Sequence, residues 1–196
     1  MSDRQTTGIL ARMTHRESIR TEFESEALPH LDALFGLALR LTGGDEPRAE
    51  DLVQDTILKA YRSWDRFETG TNCRAWLMTI LRNTFINEFR RLKSRPAAVE
   101  FEEIAERPPS DAMYEADPEG RIFERIIDTE VIAAIEELPD DFRIPIVLSD
   151  LEGLAYQEIA DLLDIPVGTV KSRLFRARKR LQGRLYEYAV EMGFLR

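Results

Sequence analysis

Apolar residues recur three and four positions apart along most of this chain, the spacing of one face of a helix. From Ile19 to Thr42 they are Phe23, Ala27, Leu31, Leu34, Phe35, Ala38 and Leu41. Pro29 lies early in that pattern and predicts a kink or break there. The stretch TGGDEP, residues 42–47, ends this helix with two glycines and opens another. In the next segment Ala49, Leu52, Val53, Thr56, Ile57, Ala60 and Tyr61 share an inward face. Asp51, Gln54, Asp55, Leu58, Lys59 and Arg62 share the outer one. The loop DRFETGTN precedes a third helix over about Cys73–Lys93, whose inward stripe is Trp76, Leu77, Ile80, Leu81, Thr84 and Phe85. No stretch alternates with period two over a useful length, so the expected unit is a three-helix bundle.

The pattern dissolves between Ser94 and about Ile127. Four of the nine prolines and much of the acid lie in SRPAAVEFEEIAERPPSDAMYEADPEGR, which reads as an extended tether. Periodicity resumes with a helix over Thr129–Leu138, inward residues Val131, Ile132 and Ile135. LPDDFR reads as a turn, and a short apolar helix follows over Arg143–Leu151 with Pro145 in its first turn. Two further helices, Tyr156–Leu163 and about Val167–Leu185, flank the tight turn DIP. The reading is therefore all-α: two small helical domains (a bundle at 19–95 and a helix-turn-helix domain at 128–196) joined by an acidic linker at 96–127. Residues 1–18 form a tail with no assigned role.

Charge changes the picture. The chain carries a net −9, yet Ile165–Tyr186 holds seven Lys/Arg and no acid, and Asn72–Arg95 holds six Lys/Arg against Glu88 alone. Two basic islands in an acidic background suit two contacts with a polyanion, against ordinary solvation of helix faces by Lys and Arg. In the last helix Val170, Leu174, Ala177 and Leu181 form the anchoring stripe. Lys171, Ser172, Arg173 and Arg176 are left facing outward, as a helix in a major groove requires. Arg178, Lys179 and Arg180, further along, suit phosphates. A basic amphipathic helix alone is a weak sign; the preceding short helix and three-residue turn strengthen it. One cysteine and two histidines leave no disulfide within the chain and no plausible zinc cluster. No apolar run approaches the roughly 18 residues of a membrane span, and the polar N-terminus has no secretory core. A cytoplasmic location is expected, with no cofactor. The chain also lacks a glycine-rich phosphate loop and a nucleophile–base pair, so no enzyme activity is expected.

The stretches AEDLVQDTILKAYRSWDRF, NCRAWLMTILRNTFINEFRR and YQEIADLLDIPVGTVKSRLFRARKRL, in that order with an acidic linker between the last two, resemble the extracytoplasmic-function (ECF) type of bacterial RNA polymerase sigma factor. The resemblance covers roughly residues 20–190. EALPHLDALFGLALRLT and GTNCRAWLMTILRNTFIN resemble the stress-responsive branch held by zinc-containing anti-sigma factors. It implies a non-enzymatic protein that binds core RNA polymerase and directs it to promoter DNA under control of an anti-sigma partner. The first domain would read and help melt the start-proximal element, the second would read the upstream element, and the linker would thread through the polymerase.

Carried onto this chain, the resemblance places the polymerase contact at Asp51, Gln54, Asp55 and Leu58. It places the start-proximal contact at Phe67, Arg82, Asn83, Asn87 and Arg90, and the upstream contact at Lys171, Ser172, Arg173, Arg176, Arg178, Lys179 and Arg180. Phe67 could stack on an unpaired base or pack over its own loop. Trp76, on the apolar stripe, is read as core. Cys73 could have its pKa lowered at a helix N-terminus, but a small packing residue is the favoured reading. Asp164 occupies the turn where glycine is common, so either it is left-handed or the turn has another shape. The rival is a helix-turn-helix regulator that binds operators without joining a polymerase.

Overall fold

The computed structural model describes residues 17–93 and 129–191, apart from the side chains of 187, 189 and 191. The linker at 96–127 and most of the tail lie outside them, except that 17 and 18 already belong to the first helix.

Helix α1 (17–27) ends in a 3₁₀ turn, Leu28–His30, and α2 follows at Leu31–Thr42. The break falls at Pro29, whose ring and missing N–H disfavour an unbroken helix. Gly43 closes α2 in the left-handed region at φ 74°, and Gly44 follows at φ 78°. Asp45 then caps α3 (Glu46–Arg62), its carboxylate accepting the Arg48 N–H at 3.1 Å, with Pro47 in the first turn where no amide is needed. A 3₁₀ turn, Trp64–Arg66, leads through the loop to α4 (Cys73–Lys93), where the Asn72 side chain accepts the Ala75 N–H at 3.0 Å.

Leu34, Leu37, Leu41, Leu77 and Leu81 are fully buried where α2, α3 and α4 meet. Tyr61, expected inside, stands 42 % exposed, with its ring edge-on to Phe23 at 5.2 Å. The stripe of α4 is wider than its periodicity indicates, since Cys73, Met78 and Ile86 are buried as well. A three-helix bundle needs only one face of α4, so the added burial signals a neighbour on a second side.

That neighbour is the C-terminal half. Helix α5 spans Thr129–Glu136 and α6 spans Asp140–Ile146. The sequence reading began this second helix at Arg143. It starts three residues earlier because Asp140 and Asp141 favour a helix N-terminus. Pro145 is consequently an interior residue rather than a first-turn one. Beyond it the helix widens into a π turn at Val147–Leu151, one recognised way for a helix to absorb a local disturbance. Helix α7 (Tyr156–Leu163) opens at Ala155, whose N–H is bonded by the Glu158 carboxylate at 2.8 Å. Asp164 adopts the left-handed conformation, φ 57° and ψ 49°, which settles the two readings of the turn. Helix α8 (Val167–Glu191) runs beyond the expected Leu185 and lays Val170, Leu174, Ala177 and Leu181 against α5, α6 and α7.

The two halves touch along α2 against α5 and α6, and along α4 against α7. Arg143 pins the first seam. It is 6 % exposed and donates to the backbone carbonyls of Leu138 (2.8 Å) and Leu41 (3.3 Å) and to the Asp140 carboxylate. Its guanidinium lies directly over Gly43, where a Cβ would come within 2.6 Å of Nη1. Gly153, also left-handed at φ 70°, has open space around it. Gly43→Ala should therefore cost clearly more stability than Gly153→Ala, which carries only the backbone penalty of about 1 kcal/mol. Urea unfolding of the two variants measures the difference.

Candidate nucleic-acid interface

Helix α4 carries the first candidate surface. Asn83 and Asn87 are exposed, each with an amide able to donate to and accept from one base edge. Arg82 is half-buried, bonded to the Thr79 hydroxyl at 3.1 Å and 3.8 Å from the Glu152 carboxylate. Arg90 meets Asp164 at 2.9 Å, and Lys93 meets Asp141 at 2.5 Å while lying over the Phe89 ring. Asn83, Ile86, Asn87 and Arg90 form one wall of a cleft of about 330 Å³, and Asp161 and Leu162 of α7 form the other.

Phe67 is in a different place. It is 7 % exposed, stacked on Trp64 with ring centroids 4.7 Å apart and 5.2 Å from Trp76. Of its two readings, this conformation displays packing under the loop, with no open face for a base. Trp76 is half-buried in the same aromatic cluster, as its position on the stripe indicated.

Helix α8 carries the second surface. Lys171, Ser172, Arg173 and Arg176 are half-buried along its N-terminal half, and the Ser172 hydroxyl donates to the Thr169 carbonyl at 3.0 Å. Arg173 reaches Asp141 at 3.0 Å. Lys179 and Arg180 are exposed, Arg180 lying over the Phe142 ring at 4.7 Å. Arg178, expected on phosphates, is instead engaged inside its own domain. It grips Asp150 with two bonds, at 3.1 and 2.9 Å, and reaches the Tyr156 hydroxyl at 3.4 Å. Burial alone would favour its neutral form, but the hydrogen bonds and charge of Asp150 outweigh this and hold the guanidinium more firmly protonated than usual. Removing one partner of such a pair leaves the other charge half-buried.

On α3, Asp51, Gln54, Asp55 and Leu58 are all exposed, and Leu58 presents 52 % of its surface among these polar neighbours. Cys73 is 4 % exposed, and burial followed by the nearby Glu26 pushes its thiol pKa up. That is the opposite of a helix-activated thiolate and fits the packing reading.

Sequence reasoning identified the cations and missed their partners. Asp141, Asp150 and Glu152 were assigned nothing, and Asp164 was considered only for its backbone. Arg90 and Asp164 are 74 residues apart, Arg178 and Asp150 are 28 apart, and periodicity carries no signal at such separations. Among the described residues no cluster of His, Cys, Asp and Glu could hold a metal ion, and no helix is long and apolar enough to cross a membrane.

Comparison with known proteins places both surfaces. Residues 28–95 match the family model for Sigma-70 region 2, and residues 128–181 match that for Sigma-70 region 4. The chain is 32 % identical over 190 residues to the ECF RNA polymerase sigma factor SigE of Mycolicibacterium smegmatis, covering 97 % of this chain and 72 % of that one. It is 37 % identical over 145 residues to the ECF RNA polymerase sigma-E factor of Escherichia coli, covering 72 % and 74 % respectively. Among solved structures, the sigma factor RpoE in complex with the anti-sigma factor NepR, from Bartonella quintana, is similar with a TM-score of 0.50 and 34 % identity over 84 % of this chain and 97 % of that one.

Two outcomes follow from this geometry. Arg178→Ala should destabilise the C-terminal half by about 1–3 kcal/mol, and the effect should be non-additive with Asp150→Ala in a double-mutant cycle read by chemical unfolding. Cys73 in the native chain should react with a thiol reagent at pH 8 at least about tenfold more slowly than in the unfolded chain, as a stopped-flow thiol assay would record.

Proposed function

We propose, from the premise that this chain belongs to the ECF RNA polymerase sigma factors and directs promoter-specific transcription initiation, a division of labour among three of its surfaces. Residues 19–95 serve as region 2, with α4 facing the start-proximal element. Residues 128–196 serve as region 4, with α8 facing the upstream element. The acidic segment 96–127 joins them on the polymerase. The protein acts without catalysis of its own, in the cytoplasm, in a stress response.

The observation that carries this reading is the placement of two cationic helices, α4 and α8, on opposite sides of an exposed Leu58 patch within one chain. Asn83 and Asn87 offer hydrogen bonds to unpaired bases, and Arg82 and Arg90 offer charge to the adjoining backbone. Phe67 and Trp76 support the loop from below rather than stacking on a base. On α8, Lys171, Ser172, Arg173 and Arg176 face the groove, Lys179 and Arg180 the phosphates, and Arg178 braces the helix through Asp150. Asp51, Gln54, Asp55 and Leu58 form the polymerase contact, where an apolar side chain on a polar face suits a protein partner. An anti-sigma factor is the expected antagonist, by similarity to the RpoE–NepR complex.

Reconstitution with bacterial core polymerase tests the assignment. Leu58→Asp should abolish co-purification with core polymerase. Asn83→Ala should leave that binding intact and lower open-complex formation on a promoter by about tenfold or less, the worth of one base contact. Arg176→Ala should weaken upstream-element binding more at low salt than at high, reducing the slope of log affinity against log salt by about one. Unaltered promoter use by both DNA-face variants refutes the surfaces assigned here.

A further inference from the structure

The seam between the two halves has a consistent polarity. Arg40, Arg82, Arg90 and Lys93 come from the N-terminal half, and Glu136, Asp141, Glu152 and Asp164 from the C-terminal half. Arg82 faces Glu152, Arg90 faces Asp164 and Lys93 faces Asp141. The buried Arg40 feels both Glu152 and Glu136, which offset the loss of charge that burial favours. Three of these cations lie on the α4 surface assigned above to DNA, so the C-terminal carboxylates occupy places that phosphates would take. Asp141 goes further: besides Lys93 it holds Arg173 at 3.0 Å, so one carboxylate ties together a cation from each candidate DNA surface. In the same seam Ile86, 2 % exposed, shares the cleft with Leu162, and Asn83 and Asn87 open into that cleft rather than onto a free face.

We infer that the free chain is held shut by an electrostatic clasp in which Asp141, Glu152 and Asp164 act as phosphate surrogates, covering the start-proximal surface until the halves are drawn apart. The proposal rests on the assignment of α4 and α8 to DNA. The clasp differs from a permanent domain interface in being built largely of half-exposed ion pairs, each weak and screened by salt. Arg143 adds directional bonds to the Leu41 carbonyl, but the apolar part of the α4–α7 contact is thin. A polymerase that binds each half separately has enough interface to open it, whereas a stray duplex, offering only phosphates, must first displace the surrogates. This is a means by which an acidic chain with two basic helices avoids nonspecific nucleic acid.

The distance between spin labels at E50C and Q182C, exposed positions on α3 and α8, tests the inference in the full chain with Cys73 replaced by alanine. In about 0.1 M salt the labels should show one narrow distance population. D141N/E152Q/D164N, which keeps shape and removes charge, should give a broad distribution extending to longer distances. About 1 M salt should do the same to the unmutated clasp, without depending on the variant's folding. The triple variant should also bind a single-stranded DNA oligonucleotide at least about tenfold more tightly than the parent in the absence of polymerase, since three competing charges are gone. A broad distribution in the parent overturns the clasp, as does a narrow one that survives both neutralisation and salt. Opening without gain in DNA binding overturns the surrogate role. None of these distance readings depends on promoter activity, so failure to transcribe with core polymerase would count against the functional assignment alone.

Discussion

Arg143 sets the relation between the two halves. Its guanidinium lies over the C-terminal end of α2, where the backbone presents carbonyls that no further turn of helix can satisfy. A cation there is favoured by the helix dipole and by hydrogen bonds to the Leu41 and Leu138 carbonyls. The contact requires a residue without Cβ at Gly43, which also supplies the left-handed closure of α2. One glycine therefore ends a helix and admits the side chain that docks the second half onto the first. With α6 placed against α2 in this way, α7 comes to lie against α4.

That docking explains the distribution of burial. Helix α4 has to serve the bundle core with Leu77, Leu81 and Phe85 while presenting amides and cations outward, and Ile86 on its outward side is buried once α7 arrives. Helix α8 is likewise anchored by Val170, Leu174, Ala177 and Leu181, leaving its cations around the remaining circumference. Half-exposed carboxylates fill the space between the two. Asp150 stiffens α8 through Arg178, whereas Asp141, Glu152 and Asp164 face across the seam. Acidic residues of one domain thus fall into two mechanical groups, one internal and one directed at the partner domain.

Membership in the ECF sigma factors gives these surfaces a common purpose. Such a protein must touch nucleic acid at two places, yet only on a polymerase. Basic helices alone would bind any polyanion, since phosphate contacts carry no sequence information. An acidic chain with internal pairing for its cations raises the threshold for such binding, and exposed Leu58 on α3 leaves the protein-binding face available while the α4 face is covered.

The helices and the two basic islands were legible in the sequence because both are local. Periodicity of three and four placed α2, α3, α4, α7 and most of α8, and the turn at Asp164 followed from the short DIP connection. Phe67 was readable only as two alternatives, because a loop aromatic packs inward or outward according to neighbours that periodicity does not reveal; Trp64 and Trp76 decided it. Arg178 looked like its basic neighbours until Asp150, 28 residues away, was brought beside it. The early start of α6, the wider burial of α4 and the pairing of Arg90 with Asp164 likewise arise from contacts between segments distant along the chain. Hydrophobic spacing and local charge are properties of a few consecutive residues, so the sequence by itself determined which segments are helical and which of them are basic. Which carboxylate meets which cation depends on how helices pack in space, and only the tertiary structure decided that.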